Sequence, residues 1–231
     1  KLWVFNGLTF EVKAGQTVAV VGPTGAGKTS LINLVSRFYE FQKGTITLDG
    51  NDIRNLDINN LRSKIAVVLQ DVFLYNTTIM ENITLGDESI SNEVVISSAK
   101  KVGIHDFINQ LPGGYDFEVK ERGGVLSSGQ RQLISFLRAF VYNPQLLILD
   151  EATSSIDSAS EELIQNATEE ITKNRTSVII AHRLSTIKKA DCILVMESGK
   201  IVEKGTHEDL LQLKGHYFDL YENQFVNQNN I

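Results

Sequence analysis

The sequence predicts an α/β fold organised around a largely parallel sheet, and three observations predict it. Short apolar runs rich in Val, Ile and Leu recur along the chain, as strands covered on both faces require. They alternate with segments whose apolar residues repeat at helical spacing. The first of these runs, Thr17-Val18-Ala19-Val20-Val21, leads straight into Gly22-Pro23-Thr24-Gly25-Ala26-Gly27-Lys28-Thr29 and then a helix-like stretch from Ser30. That order of strand, glycine-rich loop and helix is the context in which G-x-x-x-x-G-K-[ST] marks a phosphate-binding loop.

Taken along the chain, strands are expected at 17–21, 44–48, 65–69, 146–150, 177–181, 192–196 and 200–203. The run 44–48 ends at Asp49-Gly50, a dipeptide suited to a tight hairpin, so an antiparallel appendage is expected there. Helices are expected at 28–37, 92–102, 129–142 and 158–172. In the last, Leu163, Ile164, Ala167 and Ile171 form one apolar face, and Asp157 is placed to cap it. Thr206 and Asp209 have capping-box spacing ahead of Leu210, Leu211 and Leu213, so a further helix opens there. Strands cluster towards the two ends of the chain and helices in the middle. This predicts an α/β core with an inserted helical lobe. The tail 227–231, short and rich in Asn and Gln, is expected to be disordered.

The composition is that of an ordinary globular chain: 231 residues, 42% hydrophobic and 22% charged. No apolar run approaches the ~20 residues that span a bilayer. No signal-peptide pattern opens the chain. A formal net charge of −6 argues against a general nucleic-acid binder, which carries a basic surface. The single cysteine, Cys192, cannot form an intrachain disulfide. It lies in the apolar run 192–196, where a buried, inert thiol is expected.

The phosphate loop has a direct chemical reading. Its glycines let successive N–H groups turn inward around a phosphate chain, and the helix that follows adds its positive end. Gly22, Pro23, Thr24, Gly25, Ala26, Gly27, Lys28, Thr29 and Ser30 thus form the candidate nucleotide cradle. Lys28 is placed to reach the outer phosphates, and the Thr29 hydroxyl to ligate Mg²⁺. The strand Leu146-Leu147-Ile148-Leu149 ends in Asp150-Glu151. In phosphate-loop NTPases the first acid at such a strand end sits on Mg²⁺, and the next carboxylate can deprotonate water. Leu126-Ser127-Ser128-Gly129-Gln130 precedes a helix. Alone, Ser127 reads as an N-cap; with free N–H groups beside it, it could also form a second anion site. His182 and Gln70 each follow an apolar strand. His182 should stand beside the acids, since its strand is expected to neighbour theirs at the ligand-binding edge of the sheet.

These segments stand in one order: Gly22 to Thr29, Gln70, Leu126 to Gln130, Leu146 to Glu151, Ser154-Ser155-Ile156-Asp157 and His182. That order resembles the ATP-binding cassette of ABC transporters over nearly the whole chain. In family terms the segments are Walker A, Q-loop, signature, Walker B, D-loop and H-loop. Val119-Lys120-Glu121-Arg122-Gly123 resembles the X-loop of exporters, and the stretches from Thr78 to Ile83 and from Ile180 to Ile187 are typical of that branch.

The resemblance implies a P-loop NTPase (RecA-like) core with an antiparallel β appendage and an inserted helical subdomain. It implies a single cassette, 1–231, with the core in 1–70 and 144–231 and the helical subdomain in 71–143. It also implies ATP and Mg²⁺ as ligands, with Thr29, Gln70 and Asp150 at the metal. Glu151 is implied as general base, His182 as a γ-phosphate contact, and Gln70 as the reporter of the site's state. Two cassettes, identical or different, are implied to pair head to tail. Ser127, Gly129 and Gln130 then close on ATP held by the partner, and Asp157 connects the two sites. The function implied is ATP hydrolysis that powers export, at the cytoplasmic face of the cell (inner) membrane. Contact with the membrane is expected only through a transmembrane domain upstream of this fragment, and no nucleic-acid partner is expected.

Two departures qualify the match. Ser128 stands where the signature usually has Gly, and a mild effect is expected because the neighbouring Ser127 and Gly129 carry the contacts. The chain also opens at Lys1-Leu2-Trp3-Val4-Phe5, inside the expected first strand. The adenine-stacking aromatic of the family would precede it, and Trp3 is expected to pack rather than stack. The alternative is a non-transport ABC ATPase of DNA repair or chromosome maintenance. Such proteins carry a long coiled-coil or zinc-bearing insertion between Walker A and the signature, and this interval has no cysteine cluster. A regulatory module with little turnover would not need Glu151. A G-protein would need an N-K-x-D motif, which does not occur.

Overall fold

A computed structural model describes residues 3–120, 123–151 and 158–223. In chain order the strands are β1 (Thr17–Val21), β2 (Thr47–Leu48), β3 (Asn51–Asp52), β4 (Ile65–Val68), β5 (Leu146–Asp150), β6 (Thr176–Ile180), β7 (Cys192–Glu197) and β8 (Lys200–Gly205). The helices are α1 (Lys28–Val35), α2 (Ile58–Ser63), α3 (Ile79–Thr84), α4 (Asn92–Val102), α5 (His105–Gln110), α6 (Ser128–Val141), α7 (Ser158–Thr172), α8 (Leu184–Lys189), α9 (His207–Leu213) and α10 (His216–Tyr221).

The main sheet runs β4-β5-β6-β1-β7-β8. β5, β6, β1 and β7 are parallel, with Asp150 opposite Ile180, Val20 opposite Ile180 on β6's other side, and Val21 opposite Val195. These strands bury nearly every side chain, which explains why they read as unbroken apolar runs. β8 pairs antiparallel with β7 at the sheet's edge and alternates exposed with half-buried residues, as a strand covered on one face does. The small hairpin is present but shorter than expected. Only Thr47–Leu48 pairs with Asn51–Asp52, across a turn in which Asp49 and Gly50 both take positive φ (49° and 78°). That is the mirror-image turn the dipeptide predicts.

The chain divides into two compact units. Among the described residues the first holds 3–67, 146–151 and 174–223, and the second holds 68–120, 123–145 and 158–173. In the first, Val18, Val20, Ile148, Val178, Ile180 and Leu194 of the sheet pack with Leu31 and Ile32 of α1. Each such side chain contributes about 1.5–3 kcal/mol on burial. α1 ends at Val35, two residues short of the expected 28–37. Arg37 has turned left-handed (φ 51°), and its guanidinium donates to the carbonyls of Ile53 and Leu56, at 3.0 and 3.1 Å.

In the second unit α6 is the central helix, packed by α3, α4 and α7. Leu133, Ile134, Phe136 and Leu137 are fully buried there, as are Ile164, Ala167 and Ile171 of the expected α7 face. Asn82, wholly buried, clamps the approach to α3. Its Oδ1 accepts from Tyr75 N at 2.8 Å, and its Nδ2 donates to the carbonyls of Tyr75 and Thr78, both at 3.0 Å. The division drawn from sequence put all of 144–231 in the core. α7 instead groups with the second unit, because its apolar face packs on α6 and α4. Cys192 is buried, as its apolar run predicts.

Candidate functional site

The first unit gathers the expected chemistry at the carboxyl ends of β1, β5 and β6. Their register continues past the strands: Glu151 N donates to Ile180 O at 3.1 Å, and Ala181 N donates to Val20 O at 3.2 Å. Asp150, Glu151 and His182 therefore lie along the same edge as the loop that leaves β1. His182 stands beside the acids for the reason expected, the pairing of β5 with β6.

The loop itself depends on glycine at two points. Gly22 has φ 150°, and a Cβ there would lie 2.1 Å from the carbonyl oxygen of Met196. Gly27 caps α1 in a left-handed conformation (φ 105°) without any side-chain cap, and a Cβ would meet the Phe5 ring at 2.8 Å. No other residue type fits either place. α1 thus begins with backbone N–H groups and no competing capping side chain, the form of an anion cradle. Thr29 is exposed and Ser30 half-buried on its first turn.

Lys28 is nearly buried, 8% exposed. Its Nζ donates to the carbonyls of Gly22 at 2.7 Å and Pro23 at 3.0 Å, which holds the ammonium over the loop. These bonds use two of its three donors. Burial pushes the Lys28 pKa down, and the Asp150 carboxylate pushes it back up. His182 is held below the usual imidazole range, first by burial and then by the positive charge of Lys28. Lys28 at the start of α1 is thus coupled electrostatically to Asp150 and to His182 at the ends of β5 and β6.

Glu151 is 4% exposed. Its Oε2 accepts from the backbone N–H groups of His182 at 3.1 Å and Arg183 at 3.3 Å, and its Oε1 accepts from the Thr186 hydroxyl at 2.6 Å. Burial raises its pKa, opposed by the Thr186 hydrogen bond, the two backbone donors and the charge of Arg183. A carboxylate whose pKa rises is a better proton acceptor.

The second unit holds the other expected residues. Ser127 caps α6 through a capping box: its hydroxyl accepts from Gln130 N at 3.2 Å, while Gln130 Oε1 accepts from Ser127 N at 2.9 Å. Ser127 and Ser128 are exposed and Gly129 is buried. Gln70 is exposed, two residues past β4. Asp157, with Ser154, Ser155 and Ile156, lies outside the described residues, as do Glu121, Arg122 and the tail 227–231. Trp3, expected to pack rather than stack, is 45% exposed and carries Lys43 Nζ 5.5 Å from its ring centroid, a surface cation–π contact. From sequence Thr186 is placed only within the stretch from Ile180 to Ile187, with no role of its own. The available signal was its position four residues after His182, within α8.

Mg²⁺ fits the donor set. Asp150 and Thr29 offer hard oxygen ligands near the loop, and no group of three or more His, Cys, Asp or Glu able to hold a metal occurs among the described residues.

Comparison with known proteins agrees with this geometry. The profile of the ABC transporter family matches residues 5–154. A Bacillus subtilis ABC transporter ATP-binding protein, YfiC, is 51% identical over 94% of this chain. An ATP-dependent lipid A-core flippase of Methylobacillus flagellatus is 50% identical over 94% of it, and so is a fatty acid ABC transporter ATP-binding/permease protein of Mycobacterium bovis. The chain spans 36%, 38% and 34% of the lengths of these three relatives. The solved structure of a bacterial Atm1-family ABC exporter with ATP bound superposes with a TM-score of 0.88 at 43% identity, covering 96% of this chain and 39% of that one. The chain belongs to the ABC transporter family, as an ATP-binding domain of the exporter type.

Proposed function

We propose that this chain binds ATP with Mg²⁺ and hydrolyses it to drive export by a larger transporter. What supports the reading is the meeting of Lys28, Asp150, Glu151 and His182 at the ends of β1, β5 and β6, beside the glycine loop. In this reading the cradle from Gly22 to Ser30 holds the phosphates, and Thr29, Asp150 and Gln70 would hold the metal, which when bound would supply positive charge against the outer phosphates. Lys28 presents its remaining donor to them. Glu151 takes the proton of the attacking water, and neutral His182 offers one N–H to the γ-phosphate.

The reading includes a second cassette and a transmembrane domain as partners, at the cytoplasmic face of the cell membrane. Among the described residues no helix is long and apolar enough to cross a membrane. Ser127, exposed at the start of the 14-residue α6, is the group that would close on ATP held by the second cassette. The test is steady-state ATPase activity of the purified chain against its own concentration. Turnover per chain should rise with concentration as pairs form. Activity per chain independent of concentration, in a preparation that stays monomeric with ATP, would refute the paired site.

Ser127→Arg separates binding from closure. A bulky cation replaces the hydroxyl, so monomers should bind ATP within about two-fold of wild type. Hydrolysis should fall about 100-fold or more, the scale of losing one donor aimed at the reacting group. Equilibrium binding of a fluorescent ATP analogue to dilute protein gives the first quantity, and phosphate release the second. Loss of ATP binding by the monomer would place Ser127 in its own chain's site and refute the sandwich.

A further inference from the structure

Glu151 is held from one side with unequal use of its two oxygens. Oε2 receives two backbone donors, His182 N and Arg183 N. Oε1 receives one, the Thr186 hydroxyl at 2.6 Å. An ionised carboxylate offers about two lone-pair directions per oxygen. Among the described residues Oε2 is therefore filled, and Oε1 keeps one direction open.

Thr186 sits in the first turn of α8, so the residue four earlier, His182, precedes the helix. A threonine inside a helix commonly turns its hydroxyl back to the carbonyl four residues earlier. Thr84 does so to Met80 O at 3.2 Å, Thr168 to Ile164 O at 2.7 Å and Thr172 to Thr168 O at 2.8 Å. Thr186, in α8, donates instead to a side chain 35 residues away in sequence. Its β-branched side chain has few χ1 options, so the direction of that donor is well defined.

We propose that Thr186 is a positioning residue for hydrolysis: its hydroxyl fixes Oε1 of Glu151 so that the open lone pair of this oxygen receives the proton of the attacking water. The proposal rests on the reading of Glu151 as general base. It assigns Oε1, and not Oε2, as the basic oxygen. One O–H bond of water breaks and the proton goes to Oε1, while the water oxygen bonds to the γ-phosphorus; the bond from that phosphorus to the β–γ bridging oxygen breaks, and ADP leaves with its electron pair. Thr186 itself neither gains nor loses a proton.

Thr186→Val keeps the branched shape and removes the donor, whereas Thr186→Ser keeps the donor and frees χ1. ATPase kinetics and binding of a fluorescent ATP analogue would be measured for both, for Glu151→Gln, and for the Glu151→Gln/Thr186→Val double variant. Thr186→Val should lower kcat about ten-fold, the scale of one hydrogen bond to a charged group. KM and the Kd for the analogue should stay within about two-fold. Thr186→Ser should recover most of the lost kcat. The double variant should be no slower than Glu151→Gln alone, because the two groups act as one unit. If Thr186→Val fails to bind the analogue, Thr186→Ala takes its place in the same comparison.

A Thr186→Val kcat at or above the wild-type value would overturn the proposal. An increase would mean that the hydroxyl holds the carboxylate back. Equal losses in the Val and Ser variants would also overturn it, since packing and not donation would then matter. Wild-type turnover in Glu151→Gln would strike the base reading itself. An inactive Glu151→Gln beside a fully active Thr186→Val would strike only the role of Thr186.

Discussion

Replacing Glu151 with Gln should stop ATP hydrolysis while leaving ATP bound. The amide keeps the size of the side chain, its one oxygen can take the place of Oε2 towards the two backbone donors, and the Thr186 hydroxyl can turn to accept from the amide NH2. The amide cannot take a proton from water. Turnover should drop about 10²–10⁴-fold, the range that general-base catalysis contributes. Binding need not fall, because on the proposed reading the loop, Lys28 and the metal would hold the phosphates. If ATP bridges two cassettes, a variant that binds without hydrolysing should trap the pair. Size-exclusion chromatography with ATP and Mg²⁺ should then show a dimer peak that EDTA abolishes. Turnover at the wild-type rate would remove Glu151 from the role of base, whatever the oligomeric state.

The burial of Glu151 gives this variant a second consequence. Desolvation disfavours its charge, and the surrounding donors oppose that cost only in part. Removing the charge while keeping the shape relieves an electrostatic burden. The variant should therefore melt no lower than wild type without nucleotide. A clear fall in Tm would mean that the charge of Glu151 holds the strand ends together.

How much of this was legible in the sequence depended on the range of the interaction. β1, β5, β6 and β7 could be read because parallel strands buried on both faces leave continuous apolar runs. The caps of α6 and α9 could be read because Ser127/Gln130 and Thr206/Asp209 interact across three residues. The six-residue helices α2, α5, α8 and α10 escaped, being too short to show a period. α3 was equally short, but its Thr78/Glu81 capping box was a local signal left unused. The apolar face of α7 announced burial without saying against what. Contacts between distant parts of the chain left no trace. Nothing near Gly22 announces the Met196 carbonyl, and nothing near Glu151 announces Thr186. The site's outline was therefore readable from its motifs, while the support beneath Glu151 was not.

Lys28→Ala should have the other large effect, and it can be followed at two independent points. The substitution removes the ammonium that bridges the Gly22 and Pro23 carbonyls, so the loop loses its internal tie as well as its charge. Each hydrogen bond from a charged donor is worth about 1.5–3 kcal/mol, so ATP should bind about 10- to 100-fold more weakly. Turnover should fall further, by about 10³-fold or more, the scale of losing a cation that stabilises charge on the transferring phosphoryl group. Raising ATP to saturation should not restore the rate. If it did, Lys28 would serve only ground-state binding. The second point is His182. The charge of Lys28 helps to hold its pKa down, so protonation of the imidazole should become easier in Lys28→Ala. The His182 titration, followed by NMR without nucleotide, should shift towards higher pH. Burial, the larger cause, remains in the variant, so the shift should be partial. Loss of turnover with no movement of the His182 titration would mean that the ammonium acts on the phosphates alone, and that the coupling of the strand ends is not part of the mechanism.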